Sequence, residues 1–315
     1  MTRVLALLAL IATLCIAGCS GGGPPGAAAP PPAPGLVFIF ELFLGGTGVG
    51  PGAFDTPTDV AAGAGTSLWA VDSANNRVQQ LDDTGAALLG FGAPGSKPGQ
   101  FNTPVGIAVS GSSVFVTDRG NQRIQEFTTA GGFVREIGSR WPEGGSLRTP
   151  GAIAVGGSAV AVADRDQHGV AVYDAGGQYQ FTIGRLGNGD GEFRDVSGIA
   201  MIGGSLYVAD RDRGDIQVFD VASGDYIETL GRIGSTPGRF RGPTAIAAHG
   251  SGLVVNDAGN ARIQIIALTG TSQAVIDPKT TPAGPIGDPR GITSWRGGFV
   301  VADAATDRLV SFQPR

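Results

Sequence analysis

The sequence predicts an all-β protein made of one unit repeated six times. Gly accounts for 54 of 315 residues and only 16% of the residues are charged, a composition typical of short strands joined by tight turns. An acidic residue follows a short apolar run at intervals of 46, 46, 46, 47 and 46 residues: Asp72, Asp118, Asp164, Asp210, Asp257 and Asp303. A second marker keeps nearly the same spacing: Phe54, Phe101, Leu147, Phe193, Phe240 and Ile286. Repeats of this length built from short strands indicate a six-bladed β-propeller.

The second copy shows the strands expected in each blade. Apolar-rich runs at 106–109, 114–117, 124–127 and 133–137 are separated by turn residues such as Gly111. The third run, Ile-Gln-Glu-Phe, alternates as a half-buried strand does. We therefore predict four antiparallel strands in each blade.

The ring is expected to close through the N-terminal part of the repeat region. The sixth copy ends after its third strand, Leu309–Phe312, so its outer strand is missing. Residues 36–45 have the outer-strand pattern and end at Gly45, as the other outer strands end at a Gly. We predict that this segment completes the last blade, which ties the two termini together and removes an open sheet edge.

The first residues have the features of an export signal. Arg3 precedes the apolar run 4–16, which is short for a membrane span. Ile16-Ala17-Gly18-Cys19 then resembles the bacterial lipobox. That resemblance implies cleavage before Cys19 and acylation of its thiol and new amine. The alternative is an ordinary secretory signal with a chance cysteine. Cys15 would be removed with the signal, so no disulfide is expected.

These features divide the chain into a lipoprotein signal peptide (1–18), a lipidated Cys19 with a Pro/Gly/Ala-rich tether (19–35) and a propeller (36–315). Several acyl chains on one residue give stable membrane anchoring. We expect a monomeric propeller on a bacterial envelope membrane, and Ser20 favours the outer membrane by comparison with enterobacterial lipoproteins. The net charge of −5 and the predicted export argue against RNA or DNA as a partner.

The repeat resembles the NHL-repeat family. Residues 106–109 read Gly-Ile-Ala-Val, Asp118 follows the next strand, and 123–125 read Arg-Ile-Gln. The fifth copy repeats this order through Asp257 and Arg262-Ile-Gln. The resemblance covers residues 36–315 and implies a propeller of four-stranded blades.

An Arg stands five residues after the Asp in four of the copies. Such a pair could suggest catalysis, but a catalytic site is needed once and this pattern recurs. We interpret the pairs as structural braces in which the carboxylate accepts loop N–H groups or the Arg; copies three and four depart, with Gly169 and Asp215. The predicted braces are Asp72/Arg77, Asp118/Arg123, Asp257/Arg262 and Asp303/Arg308.

A ligand site is predicted on the face of the propeller that carries the loops after each Asp, here named the top face. The residues that follow the Asp should surround the channel mouth: Ser73, Arg119, Arg165, Arg211, Ala258 and Ala304. Three of them are Arg in successive blades. With Arg213, His168 and Trp141 nearby, they could hold an anionic or glycan-like ligand. The alternative is a solvated rim of mixed charge, because Asp166 and Asp212 stand beside these arginines.

The sequence favours a binding module over an enzyme. His168 belongs to a top loop and His249 to the far end of an inner strand, so the two His should not share a metal. Among the residues that begin the inner strands only Asp59 and Arg290 are charged, and no nucleophile motif is present. We therefore predict no catalytic residue, cofactor or metal, and an unknown protein, peptide or glycan as the top-face partner. The alternative is a metal-dependent hydrolase or lyase of the six-bladed type.

Overall fold

The computed structural model describes residues 37–138, 146–280 and 285–315. Cys19 and its neighbouring signal and tether, as well as Trp141, lie outside the described residues. Residues 35–315 form a compact unit by themselves. Within them, 24 strands build six four-stranded antiparallel sheets, so the predicted six-bladed propeller is confirmed.

Five blades are formed by consecutive strands. Blade 1 contains β2 (Pro57–Ala62), β3 (Leu68–Asp72), β4 (Arg77–Leu81) and β5 (Ala87–Phe91). Blade 2 contains β6 (Pro104–Ser110), β7 (Ser113–Asp118), β8 (Arg123–Thr128) and β9 (Phe133–Ile137). Blade 3 contains β10 (Pro150–Gly156), β11 (Ala159–Asp164), β12 (Gly169–Asp174) and β13 (Tyr179–Ile183). Blade 4 contains β14 (Val196–Ile202), β15 (Ser205–Asp210), β16 (Asp215–Asp220) and β17 (Tyr226–Leu230). Blade 5 contains β18 (Pro243–His249), β19 (Gly252–Asp257), β20 (Arg262–Ala267) and β21 (Ser272–Ile276).

Blade 6 combines the two ends of the repeat region. It contains β22 (Pro289–Trp295), β23 (Gly298–Asp303), β24 (Arg308–Pro314) and, as its outer strand, β1 (Phe38–Leu44). β1 pairs antiparallel with β24 from Phe38 opposite Pro314 to Leu44 opposite Leu309. The predicted closure by the N-terminal strand is therefore correct.

The core lies between neighbouring blades, because each sheet buries both of its faces. Between blades 1 and 2, Trp69, Phe101 and Phe127 belong to one fully buried apolar cluster. Five further clusters of this kind lie around the ring. Aromatic side chains of this size supply much of the apolar area that a core removes from water.

The second repeat marker anchors the crossover that enters each blade. Phe101 is completely buried, its N–H donates to the Ala93 carbonyl, and its own carbonyl accepts the N–H of Gly95. Gly92 has a φ of +107°, and a Cβ there would lie 2.7 Å from the Phe101 ring. Only a residue without a side chain fits this position, which explains the Gly nine residues before the marker.

The remaining regular structure is minor. Four short 3-10 turns occur: Arg119–Asn121, Arg165–Gln167, Ala258–Asn260 and Pro278–Thr280. No helix in the described residues has the length and hydropathy needed to cross a bilayer.

Candidate functional site at the channel mouth

The Asp of the repeat is the centre of a buried hydrogen-bond cluster, as blade 2 shows. The Asp118 carboxylate accepts the Asn102 backbone N–H at 2.7 Å, Asn121 Nδ2 at 2.8 Å and Arg123 Nε at 2.9 Å. It also accepts Gln125 Nε2 at 3.2 Å. The carboxylate is fully buried, and these donors satisfy it.

The same donors reach the crossover that enters the blade. Arg123 Nη2 and Gln125 Nε2 donate to the Gln100 carbonyl at 2.8 and 2.7 Å, and Asn121 Nδ2 donates to the Gly95 carbonyl. The Asp118 cluster therefore joins the top loop of blade 2 to the preceding linker. This is a structural role, because every polar group is already paired within the protein.

Blades 1 and 5 contain equivalent clusters. Arg77 Nε donates to Asp72 at 2.7 Å, and Arg262 Nε donates to Asp257 at 2.7 Å. Burial raises the pKa of the Asp72 carboxyl, while its hydrogen bonds, among them one from Arg77, act in the opposite direction.

The geometry that recurs between blades includes a Gln whose role we did not predict from the sequence. It stands seven residues after the Asp, and its Nε2 donates to a crossover carbonyl while its Oε1 accepts a crossover N–H. Four copies contain it: Gln79, Gln125, Gln217 and Gln264. The recurrence of one polar side chain among the apolar residues of a buried strand was the available signal.

The structure corrects the predicted Asp303/Arg308 pair. Asp303 accepts the N–H groups of Gly287 and Asp288 and the Thr306 hydroxyl. The Arg308 guanidinium instead lies 4.0 Å from the centre of the Phe43 ring, and its buried Nε has no hydrogen-bond partner among the described residues. β1 belongs to blade 6 alone, so only this blade contains Phe43. Arg308 therefore packs on an aromatic ring instead of pairing with the carboxylate.

Arg213, predicted as a ligand residue, is instead part of the blade 4 brace. Its Nη2 and Nε donate to Asp215 Oδ2 at 2.9 and 3.0 Å, and its Nη1 donates to the Gly189 carbonyl at 2.7 Å. Only 12% of its side chain is exposed. Burial raises the pKa of Asp215, and Arg213 opposes that shift. Arg213 therefore replaces the missing Arg of this copy.

A central channel runs between the six inner strands β2, β6, β10, β14, β18 and β22. Its volume is about 970 Å³. The walls combine polar and apolar side chains and carry one Ile in most blades: Ile107, Ile153, Ile199, Ile246 and Ile292. Ser73, Ala258 and three arginines from the loops after the Asp also line it, whereas Ala304, predicted at the same mouth, is not a lining residue.

Four arginines converge at this mouth: Arg119, Arg165, Arg211 and Arg290. Burial lowers the pKa of Arg119, and the positive charges of Arg165, Arg290 and Arg211 lower it further. The negative charge of Asp166 opposes this shift. Arg119 Nε donates to the Pro150 carbonyl at 3.3 Å, and no carboxylate of the described residues forms an ion pair with it.

Two carboxylates balance part of this charge. Asp195 accepts Arg165 Nε at 2.6 Å and Nη2 at 2.8 Å, and lies 3.5 Å from Arg211 Nη1. Asp288 accepts Arg290 Nε at 2.8 Å. The Nε of Arg211 is buried and has no hydrogen-bond partner in the described part of the chain. Four guanidinium groups thus share two ion-paired carboxylates. Asp166 and Asp212 also line a side depression of the mouth, so its charge is mixed, but the mouth retains guanidinium donors without an acceptor in the described residues.

His168 lies in a side depression of this mouth with a volume of about 310 Å³. Arg119 and Arg165 line the same depression. His168 Nδ1 lies 2.8 Å from the Arg194 carbonyl. A carbonyl oxygen can only accept, so Nδ1 carries a proton and a neutral ring leaves Nε2 as an acceptor.

Asp59 is the one acidic side chain at its level of the channel wall. The equivalent positions in the other blades are small: Gly106, Ala152, Gly198, Ala245 and Gly291. Asp59 accepts the N–H groups of Val60 and Ile107 at 2.9 Å each. Burial within the channel wall raises its pKa to about 7, although these hydrogen bonds lower it.

The two His lie at opposite ends of the propeller. His249 ends β18, whose first residue Pro243 pairs with Asp257 at the top. Its Nδ1 lies 3.1 Å from Ser294 Oγ, and burial lowers its pKa. No group of three His, Cys, Asp or Glu side chains in the described ranges could hold a metal ion.

Comparison with known families agrees with this architecture. The family model for the NHL repeat matches residues 101–127, the blade 2 segment that contains Asp118, Asn121 and Arg123. The chain is a six-bladed β-propeller with an NHL repeat. No curated protein matches it.

Several solved propellers are similar to this chain in fold. A gluconolactonase from Xanthomonas campestris shares 14% identity at a TM-score of 0.64, covering 90% of this chain and 99% of that one. A streptogramin B lyase shares 15% identity at a TM-score of 0.59, covering 88% and 98%. A structure of a nidogen/laminin complex shares 14% at 0.57, covering 71% and 81%. These include enzymes and a binding protein, so likeness at this identity shows the fold alone.

Proposed function

We propose that this protein is an envelope lipoprotein, anchored through Cys19, whose propeller is a non-enzymatic binding module. The top face binds an anionic group of a protein, peptide or glycan partner at the channel mouth. The observation that carries the proposal is the convergence of four guanidinium groups there, of which Arg119 has no ion-paired carboxylate among the described residues and Arg211 has a buried Nε without an acceptor.

Gathering like charges costs free energy unless an anion joins them. The chain as a whole has a net charge of −5, so the convergence of four arginines is a local feature of the mouth. Guanidinium groups bind carboxylate and phosphate oxygens through paired donors, and a cleft of one charge sign attracts oppositely charged ligands. An anionic partner would supply the acceptors that Arg119 and Arg211 lack.

The position of the first strand supports presentation of this face. β1 begins at Phe38, opposite Pro314, the last residue of β24, on the face remote from the mouth. A lipid anchor that precedes β1 therefore leaves the mouth accessible to partners. Protease or antibody access in intact cells tests this orientation, which shielded top loops would contradict.

Metabolic labelling with a fatty-acid analogue tests the anchor. We expect label in the wild-type protein and in Cys15→Ser, and none in Cys19→Ser, which should also leave the membrane fraction. Equal labelling of Cys19→Ser and wild type would overturn the lipoprotein proposal.

Thermal shift with acidic polymers tests the binding face. The propeller (35–315), which contains all 24 strands, is heated with poly-glutamate or polygalacturonate, and with dextran as the uncharged counterpart. We expect stabilisation by the acidic polymers only, lost in Arg119→Ala/Arg211→Ala. The exposed Arg232→Ala is the control with the same change in charge per site. Stabilisation that survives the double substitution would place the contact elsewhere.

A photo-crosslinker in cells provides a second test. Placed at exposed Thr103, which borders the mouth, it should yield an adduct that disappears in Arg119→Ala/Arg211→Ala. At Leu88, which is 57% exposed on the outer strand of blade 1, the same group should not yield that adduct. Identical adducts from both sites would contradict a top-face partner.

A further inference from the structure

We infer that the central channel is itself a binding site for a small amphipathic anion, with the head group at Arg119 and Arg211 and an apolar body along the channel wall. This inference rests on the proposed function, because it uses the same arginines. It goes further by naming the ligand chemistry and its place within the fold.

The dimensions of the channel suit one small molecule. Its volume of about 970 Å³ falls at the upper end of the roughly 300–1,000 Å³ typical of ligand sites. At the level below the mouth, five of the six blades have Gly or Ala, so long side chains do not fill the passage there. A Cβ at Gly198 would lie 2.9 Å from the Cα of Ala245, so these small residues allow the inner strands to approach each other.

The lower wall offers apolar surface that the protein itself does not cover. Val109, Val155, Met201 and Ala247 line the channel, and all four are only half-buried. Apolar side chains that remain open to a narrow channel gain free energy when an apolar group displaces water from them. A ligand body with several methylene groups or an aromatic ring would provide that group.

Asp59 does not prevent such a body from entering. Its two carboxyl oxygens accept backbone N–H groups of Val60 and Ile107, so the carboxyl is held against the wall by β2 and β6. The carboxyl is thus hydrogen-bonded to the channel wall, and the arginines that would bind the head group lie above it, at the mouth.

Only two of the four arginines at the mouth are available for the head group of a ligand. Arg165 is already held by two hydrogen bonds to Asp195, and Arg290 is paired with Asp288. Arg119 and Arg211 retain donors without a carboxylate acceptor, and one carboxylate or one phosphate would supply it. These two head groups share the relevant chemistry and are distinguished by the probes below.

Calorimetric titration of the propeller (35–315) with four probes tests the inference. Decanoate and decyl phosphate carry both features, decanol lacks the charge, and inorganic phosphate lacks the apolar body. We expect 1:1 binding of decanoate, decyl phosphate or both, at least about tenfold tighter than decanol and than phosphate. Binding of decanol with the same affinity would show that the arginines do not contribute to the site. Binding of phosphate with the same affinity would show that the apolar channel does not contribute. Either result would overturn the inference.

Variants locate the bound probe. Arg119→Ala/Arg211→Ala should lower the affinity for decanoate or decyl phosphate, whichever binds more tightly, at least about tenfold. Arg232→Ala should leave that affinity unchanged. Ala152→Phe narrows the passage below the mouth and should weaken the probe while leaving the response to poly-glutamate unchanged. Val155→Asn makes the wall polar without narrowing the channel and should also lower the affinity for the probe. This second variant keeps the test decisive if Ala152→Phe does not fold.

The outcomes separate this inference from the proposed function. Arginine-dependent stabilisation by poly-glutamate without binding of either amphipathic probe would overturn the channel site and leave the top-face site standing. Absence of both responses would overturn both. Retained binding in Ala152→Phe and Val155→Asn would likewise overturn the channel site.

Discussion

Arg119 and Arg123 lie four residues apart in blade 2, one in the top loop and one at the start of β8, and their surroundings are opposite. Arg123 is 5% exposed and donates to Asp118, Glu136 and backbone carbonyls. Arg119 has one hydrogen bond, to a carbonyl at 3.3 Å, and three arginines nearby. The difference teaches that hydrogen-bond saturation distinguishes an arginine that holds the fold from one that can receive a ligand. Residue type and spacing alone do not make that distinction.

The largest effect is expected from removing the centre of a brace. Asp118→Ala removes the fully buried carboxylate that pairs with Arg123 and also accepts Asn102, Asn121 and Gln125, and breaking a buried ion pair costs on the order of 3–5 kcal/mol. Denaturant unfolding should show a loss of this size. The matched Arg119→Ala should cost less than about 1 kcal/mol. Equal losses of stability from the two substitutions would contradict the assignment of a structural role to Asp118 and of a ligand-binding role to Arg119.

Asp59→Asn tests the remaining ionisable group of the channel wall. With its pKa raised to about 7, the folded protein holds a proton between about pH 4 and 7 that the unfolded chain releases. The free energy of unfolding therefore falls as the pH rises through this window. We expect Asp59→Asn to remove this slope, worth on the order of 2–4 kcal/mol. Identical pH profiles of the variant and the wild type would show that Asp59 ionises normally.

Arg308→Ala sharpens the comparison within the repeat. Arg308 contacts the Phe43 ring instead of Asp303, and a cation–π contact contributes about 0.5–2 kcal/mol. We expect the free energy of unfolding to fall by an amount in this range. The loss should be smaller than that of Arg123→Ala, which leaves the buried Asp118 carboxylate without its arginine. Unfolding of the two variants under one set of conditions provides the measurement, and an equal loss would indicate that Asp303 depends on Arg308 after all.

The smallest effect is expected at the mouth. Arg211→Ala removes one of four converging positive charges and a weak 3.5 Å pair with Asp195. Exposed pairs contribute about 0–1 kcal/mol, and relief of repulsion offsets part of that. We expect the free energy of unfolding to change by less than about 0.5 kcal/mol. A loss above about 2 kcal/mol would mean that Arg211 is a structural residue.

The sequence predicted the fold well, because repetition supplies the same information six times. The spacing of the Asp and Phe markers was sufficient to identify the blades and the closure by β1. Regularity also identified Asp72, Asp118 and Asp257 as brace positions, because each copy has the same local partners.

The details of the site depend on contacts between copies, which spacing does not reveal. Arg213 replaces the brace Arg from a different position in the repeat, two residues before Asp215. Asp195 belongs to the entry of blade 4 but neutralises Arg165 of blade 3. Arg308 meets Phe43 only because the two ends of the chain share a blade. Each of these follows from the closed ring rather than from the repeat itself.

Measuring stability and probe affinity together on two variants tests the central claim most directly. Arg119→Ala/Arg211→Ala and Arg77→Ala are unfolded in denaturant and titrated with decanoate and decyl phosphate. We predict that the mouth variant unfolds close to wild type and loses at least about tenfold in affinity, whereas Arg77→Ala loses stability and, where folded, keeps its affinity. A mouth variant as unstable as Arg77→Ala, or one that binds as wild type does, would contradict the account.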